Sequence, residues 1–220
     1  PSALELVLAG YAGGSLSPAL HALVGAHLEL SPANRAFVRS LEESLGREAV
    51  SAKPCSIRNR AARLDAIFGT SPIDVPCPAP VIDEPRALRH FVGKAIDDLE
   101  FRTILPGVRE CRIPVEDDTT AMFYRIRPGR KMPQHSHEGS EITLVLRGGF
   151  SDASGHFARG DIAVADEHFD HVPVADEGEE CLCFAVLDAP LRLTGMFGRW
   201  VNPALRLFDK RPGKPDRSGH

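Results

Sequence analysis

Apolar positions in the first 48 residues recur at helical spacing and fall into three short groups. Leu4, Val7, Leu8 and Tyr11 follow Ser2 and Glu5, whose spacing predicts a capping box, and Gly13-Gly14 ends the run. Ser17-Pro18 supplies an N-cap residue and a proline in the first helical position, ahead of Leu20, Leu23, Val24, His27 and Leu28. Ser31-Pro32 repeats the device before Phe37, Val38, Leu41 and Leu45. Residues 49–84 then lose the period. Pro54, Pro72, Pro76, Pro78 and Pro80 punctuate them, leaving only Ala61–Phe68 room for a helical turn or two. This predicts an inter-domain linker with a short embedded helix; the alternative is an irregular arm packed on a second domain.

One more helix is expected over 85–97, with Pro85 near its start. Beyond it the period shifts towards two. Arg109–Pro114, Thr119–Ile126, Glu141–Arg147, Gly149–Ser151, His156–Ala158, Asp161–Val164, His171–Val174 and Glu180–Val186 read as short strands. Gly, Pro and Asp turns separate them at intervals that favour a β-sandwich or barrel. The expected class is therefore α+β: a three-helix domain over 1–48, a linker over 49–84 and an all-β domain over 85–208. The Pro, Gly and charges of 209–220 predict a disordered tail.

Composition narrows the function. The chain has 220 residues, 43% hydrophobic and 25% charged, as an ordinary globular protein has. A net charge of −4 provides no basic field, which argues against direct nucleic-acid binding. No apolar run reaches the length of a membrane span. Five scattered cysteines, Cys55, Cys77, Cys111, Cys181 and Cys183, without a recognisable signal peptide, predict a reducing compartment, the cytoplasm.

The segment Gly129-Arg-Lys-Met-Pro-Gln-His135-Ser-His137-Glu-Gly-Ser-Glu141, with Gly148 further on, carries the chemistry. In an extended strand, residues two apart share a face, so His135 and His137 aim two imidazoles at one point. Glu141, after a turn containing Gly139, adds a carboxylate. Gly160 stands eleven residues before His171, a third imidazole from a distant strand. Both spacings resemble the two motifs of the cupins, which are double-stranded β-helix (jelly-roll) barrels. The second motif departs from the pattern, with Asp166, His168 and Ala175 where Pro, Gly and Asn are usual. Three imidazoles and a carboxylate predict one divalent metal, with Zn, Fe, Mn, Ni and Cu all compatible.

His168 is either a neighbour of that site or an exposed residue, and His21, His90, His156 and His220 receive no role. Cys181 and Cys183, two apart in a predicted strand, share one face. They are either thiols near the metal with a redox role or small buried apolar residues.

Nearly all of residues 1–207 resembles the ChrR family of bacterial anti-sigma factors. The resemblance rests on Ala9-Gly-Tyr11-Ala-Gly-Gly-Ser-Leu16, Ala22-Leu-Val-Gly-Ala-His27-Leu28, Leu105-Pro-Gly-Val108 and Ile126-Arg-Pro-Gly129. It extends through the His135/His137/Glu141 segment, Gly148-Gly-Phe150, Gly160-Asp-Ile162, Cys181-Leu-Cys183 and Asp188-Ala-Pro-Leu191. It implies a helical domain that masks an extracytoplasmic-function sigma factor and a cupin that helps sense oxidants. It also favours Zn over Fe, Mn or Ni in the cupin. The family's helical domain holds a further zinc through a His-x-x-x-Cys-x-x-Cys motif. Here His27 is retained, but Ser31 and Asn34 stand at the cysteine positions, so loss of that zinc is expected. A helical unit this small then needs support by docking onto the barrel, a second copy of the chain (a homodimer), or a sigma factor.

The competing reading is a metal-dependent cupin dioxygenase or other oxidoreductase. It requires an exchangeable position on the metal and a substrate clamp, for which Arg125, Arg127 and Arg147 are the candidates, each also readable as a surface residue. No catalytic residue is assigned, and a regulator is the preferred reading.

Overall fold

The computed structural model describes residues 1–71, 84–137, 139–166, 172–189 and 191–193, with positions 135–137 and 191–193 as backbone alone. Residues 72–83, with most of the linker prolines, lie outside it, as do His168, His171 and the 209–220 tail.

Helix α1 (Ala3–Ala12) opens on the reciprocal capping box of Ser2 and Glu5. Helix α2 (Pro18–Leu30) starts from Ser17, whose hydroxyl accepts the Leu20 N–H. Helix α3 (Pro32–Ser51) begins after a single residue, Ser31, which is also the C-cap of α2. The Ser31 side chain makes no capping bond. The chain turns there because a residue before proline is pushed out of the helical region, and Ser31 is extended at φ −115°, ψ 98°. At 20 residues α3 is no short piece, and it runs past residue 48 because no proline interrupts it before Pro54. Helix α4 (Arg60–Phe68) follows and buries no residue. Helix α5 (Arg86–Val92) ends at Gly93 in the left-handed region, before a 3-10 turn at Ile96–Asp98.

The β part contains β1 (Arg102–Leu105), β2 (Val108–Ile113), β3 (Thr120–Ile126), β4 (His135–His137), β5 (Glu141–Arg147), β6 (Gly149–Asp152), β7 (Gly155–Ala158), β8 (Ile162–Ala165), β9 (Val174–Ala175), β10 (Cys181–Leu187) and β11 (Leu191–Leu193). One sheet has the order β1-β2-β3-β10-β5-β8; the others are β7-β6-β9 and β11-β4. Every pairing among them is antiparallel. Most predicted strands stand within two residues of their expected ends, the ordinary uncertainty of a strand boundary. β1 and β11 are additions to the expected set: β1 is an edge strand whose Arg, Thr and Ile are all exposed, so it carries no buried face to read. β9 begins at Val174, not before it, because residues 172 and 173 are irregular.

The central strands of the large sheet, β3, β10 and β5, are buried on both faces. On one side, Phe123, Leu144, Leu182, Phe184 and Val186 join Leu8, Leu23, Val24, Leu28 and Leu88 of the helices in a single core. On the other, Met122, Tyr124, Val145, Cys181, Cys183 and Leu187 pack with Phe150 and Ala175 inside the barrel. All seven residues of β10 are buried. The helical layer is thus docked on the barrel, with Phe184 packing against Phe91 of α5 and Phe123 of β3.

Because Phe184 is fully buried at this junction, Phe184→Ala should cost about 3–5 kcal/mol. Denaturant unfolding should show helices and barrel losing that stability together; a change confined to one of two separate transitions would contradict a shared core.

Candidate metal centre and its surroundings

Alternation along β3, β5 and β10 sends every second side chain into the barrel. Tyr124, Glu141, Thr143 and Cys183 thereby line a cavity of about 50 Å³, together with Phe150 of β6, Met132 and Pro173. Glu141 stands at the first position of β5, and its Oε1 accepts a hydrogen bond of 2.8 Å from the Thr143 hydroxyl.

At the approach to this cavity the segment 130–132 runs beside residues 173–175. The Met132 N–H donates to the Pro173 carbonyl at 2.8 Å, the Ala175 N–H donates to the Arg130 carbonyl at 3.0 Å, and Lys131 bridges Val174. His135 thus lies three residues from Met132, and His171 two residues from Pro173. Positions 135 and 137 sit in β4, opposite Leu193 and Leu191 of β11. The turn between β4 and Glu141 is pinned by Asp188, whose carboxylate accepts the Ser140 N–H at 2.6 Å. Gly139 is required there: a Cβ would collide with the Asp188 carboxylate and meet Ala189 at 2.9 Å. Among the described residues no three His, Cys, Asp or Glu side chains form a metal-sized cluster. Of the four predicted ligands, only Glu141 has its side chain described.

The cavity carries weakly acidic groups held in their neutral forms. Burial, then the Glu141 and Glu110 carboxylates, push the Tyr124 phenol well above its ordinary pKa. Cys181 and Cys183 both point into the barrel, with Sγ atoms 3.4 Å apart. The hydrogen bond to Cys181, then burial and the nearby Cys181 and Glu141, raise the Cys183 thiol well above its usual range. Behind Tyr124, buried Glu110 is held by Arg102 and Arg112.

The arginines considered as a substrate clamp lie elsewhere. Arg125 is on the helix-facing side of β3, stacked on Phe101 at 4.6 Å and paired with Asp97 at 2.5 Å and Glu180 at 3.6 Å. Arg147 lines a separate groove with Glu84, Asp97 and Arg159, and the Arg127 side chain lies near Gly107. None lines the barrel cavity. The structure adds Tyr124 and Thr143 to the site. Each stands two strand positions from a cavity or core residue, so β periodicity is the signal that could assign them inward.

At the retained His27 the structure shows a buried imidazole. Its Nδ1 lies 2.7 Å from the Gly160 carbonyl oxygen, and its Nε2 lies 2.8 Å from Asn34 Nδ2. Ser31 contributes its backbone to the α2–α3 turn.

Known proteins match both halves of this architecture. Residues 90–190 match the family model described as the ChrR Cupin-like domain. The anti-sigma-E factor ChrR of Cereibacter sphaeroides is 36% identical over 210 residues, 92% of this chain and 96% of that protein. The chain belongs to the ChrR family. The crystal structure of Rhodobacter sphaeroides SigE in complex with the anti-sigma ChrR superposes with a TM-score of 0.71 at 33% identity. That match covers 83% of this chain and 96% of the chain it superposes on. The likeness therefore includes the helical layer as well as the barrel.

The raised thiol of Cys183 implies low thiolate content at neutral pH, and only the thiolate reacts. Iodoacetamide at pH 7.5 should label exposed Cys55 while sparing Cys181 and Cys183 until the protein is denatured. Equal labelling rates for Cys55 and Cys183 in the folded protein would show that the barrel opens readily.

Proposed function

We propose that this chain is an anti-sigma factor: its helices hold an extracytoplasmic-function sigma factor in the cytoplasm, and its barrel, loaded with one divalent metal, answers an oxidant or small molecule. The carrying observation is the 36% identity that runs through both the helices and the barrel to a protein of that role.

The helical layer has one face committed and another free. Leu8, Leu23, Val24 and Leu28 are used up on the barrel. Phe37 and Leu45 of α3, Ile57, and Ile67 and Phe68 of α4 are exposed, the last at 80%. Exposed apolar side chains on helices are the kind of surface a partner helix covers. In the barrel, His135, His137, Glu141 and His171 are the proposed ligands. The Glu141 carboxylate on the cavity wall and the pairing of 130–132 with 173–175 support the set. A bound divalent cation, Zn by the family resemblance, would supply a fixed positive charge around which the Glu141 carboxylate and the three imidazoles gather.

β10 connects the two activities. Its odd positions, Cys181 and Cys183, face the barrel interior; its even positions, Leu182, Phe184 and Val186, carry the helices. A change in the barrel interior therefore acts on the strand to which the helical layer is fastened, and a bias of that kind is what a two-state switch needs.

Metal analysis should find about one divalent ion per chain, falling to near none in His135→Ala, since three remaining donors and an open position hold Zn weakly. Full occupancy in that variant would remove the ligand assignment. Binding to the cognate sigma factor should weaken at least about tenfold in Phe68→Asp, roughly 1.4 kcal/mol, with thermal stability unchanged because the side chain is exposed. Unaltered affinity would move the grip away from α4. Failure of the unmodified chain to bind any sigma factor encoded beside it would sink the anti-sigma reading.

A further inference from the structure

His27 stands where the family resemblance places a zinc ligand, yet its surroundings form a different device. The imidazole is 2% exposed and touches three elements at once: it belongs to α2, Asn34 belongs to α3, and Gly160 closes the turn between β7 and β8. A carbonyl oxygen only accepts, so Nδ1 carries the hydrogen that bonds Gly160. In the neutral ring Nε2 is then an acceptor, matched by the Asn34 amide N–H at 2.8 Å. Both ring nitrogens are satisfied without a metal. Gly160 permits the approach. It is at φ +94°, and even the Cβ of an alanine would meet the Leu30 side chain at 3.2 Å and its carbonyl oxygen at 3.8 Å.

We propose that His27 is a metal-free latch, fastening α2 and α3 to the barrel through the Gly160 carbonyl and the Asn34 side chain and loosening that joint when the ring gains a second proton. Two strands of argument support it. The contact joins residues 133 positions apart, across the junction between helical layer and barrel, so its loss acts on docking and not on either part alone. A second proton puts an N–H on Nε2, facing the Asn34 amide. That proton is accommodated only by turning the amide to present its oxygen, and it leaves a charge in a buried place. Burial lowers the His27 pKa; the Gly160 carbonyl and the Asp161 carboxylate, on the same turn, oppose that effect without overcoming it. The neighbouring Arg35 of α3 and Arg159 of the turn are engaged on the Leu28 and Leu146 carbonyls. An undocked His27 in water titrates near pH 6.5. The docked state therefore binds fewer protons than the open one, and docking weakens as the pH falls from about 6.5 through the lowered pKa of the buried ring.

The test is hydrogen exchange of the α2 and α3 amides in the full-length protein between pH 7.5 and 5.5, corrected for intrinsic exchange. Opening should steepen below pH 6.5, towards about tenfold per pH unit while the buried ring stays neutral. His27→Asn keeps a donor near the Gly160 carbonyl but cannot titrate, so its profile should be flat where the native one rises. All other histidines are common to both proteins, so any contribution from them cancels from the difference. Asn34→Asp places a carboxylate beside Nε2, favours the charged ring, and should reduce the acid sensitivity. If His27→Asn is too unstable to compare, Asn34→Asp against the native chain decides. Parallel profiles for native protein and either variant would overturn the latch, whatever the outcome for metal or sigma binding.

Discussion

The structure depends on one strand being buried twice. β10 is built of apolar side chains and two thiols, and its two faces belong to different cores, one inside the barrel and one beneath the helices. A strand in a two-layer protein usually spends one face on water or on an alternating polar row. Here water is excluded from both sides, so the helical layer is not an accessory resting on a finished barrel. Without it, Leu144, Phe184 and Val186 would form an exposed apolar stripe across the middle of the large sheet. Without the sheet, Leu8, Leu23 and Val24 would have nothing to cover them. Each part supplies the hydrophobic contact that the other lacks. That answers how a helical unit of this size stays folded with Ser31 and Asn34 where the family resemblance places two cysteines.

Much of this is legible in the sequence pattern, and what the pattern leaves out has identifiable causes. The capping box at Ser2, the Ser17-Pro18 start and the extents of β3 and β5 are local signals, and they sit where the pattern places them. The α2–α3 corner falls at the expected residue for a partly different reason: Ser31 turns the chain through the constraint Pro32 imposes on it, not through a hydroxyl cap. The unbroken run Cys-Leu-Cys-Phe-Ala-Val-Leu reads at first as an ordinary barrel strand. Its lack of alternation is the mark of burial on both faces, and a strand buried on both faces requires a second layer such as the docked helices. β1 and β11 carry no such mark, one because it is an exposed edge and the other because it is three residues long. The candidate ligands are legible from spacing alone, because a His-x-His pair in a strand, with its bracketing glycines, is a local pattern. Tyr124 and Thr143 are not, since nothing in a single strand says which phenol or hydroxyl ends beside a particular carboxylate.

The role of His27 shows where local reading stops. As a lone histidine on a helix it offers a choice between packed and solvated. Its partner Gly160 lies 133 residues away, and no spacing rule connects them. By spacing, Gly160 is only the opening glycine of the second barrel motif. In the fold that glycine serves α2 as well: its positive φ shapes the β7–β8 turn, its missing side chain leaves room for Leu30, and its carbonyl takes the His27 hydrogen bond.

Two physical routes therefore join the barrel interior to the helices, and they differ in character. The β10 route is apolar and close-packed. A displacement at Cys183 reaches Phe184 through the adjoining peptide, and dense packing makes such a strand respond by a discrete shift more readily than by a graded one. The Gly160 route is polar and rests on two hydrogen bonds to one ring, so it responds to protonation and to the geometry of the turn entering β8. β8 in turn pairs with β5 through Glu141 opposite Ala165. The proposed metal ligand thus lies on a strand bonded directly to both routes, since β5 also pairs with β10 from Glu141 to Arg147. A change in what Glu141 holds would press on both attachments of the helical layer at once. For that reason this carboxylate is the group through which an event in the barrel would be felt by the helices.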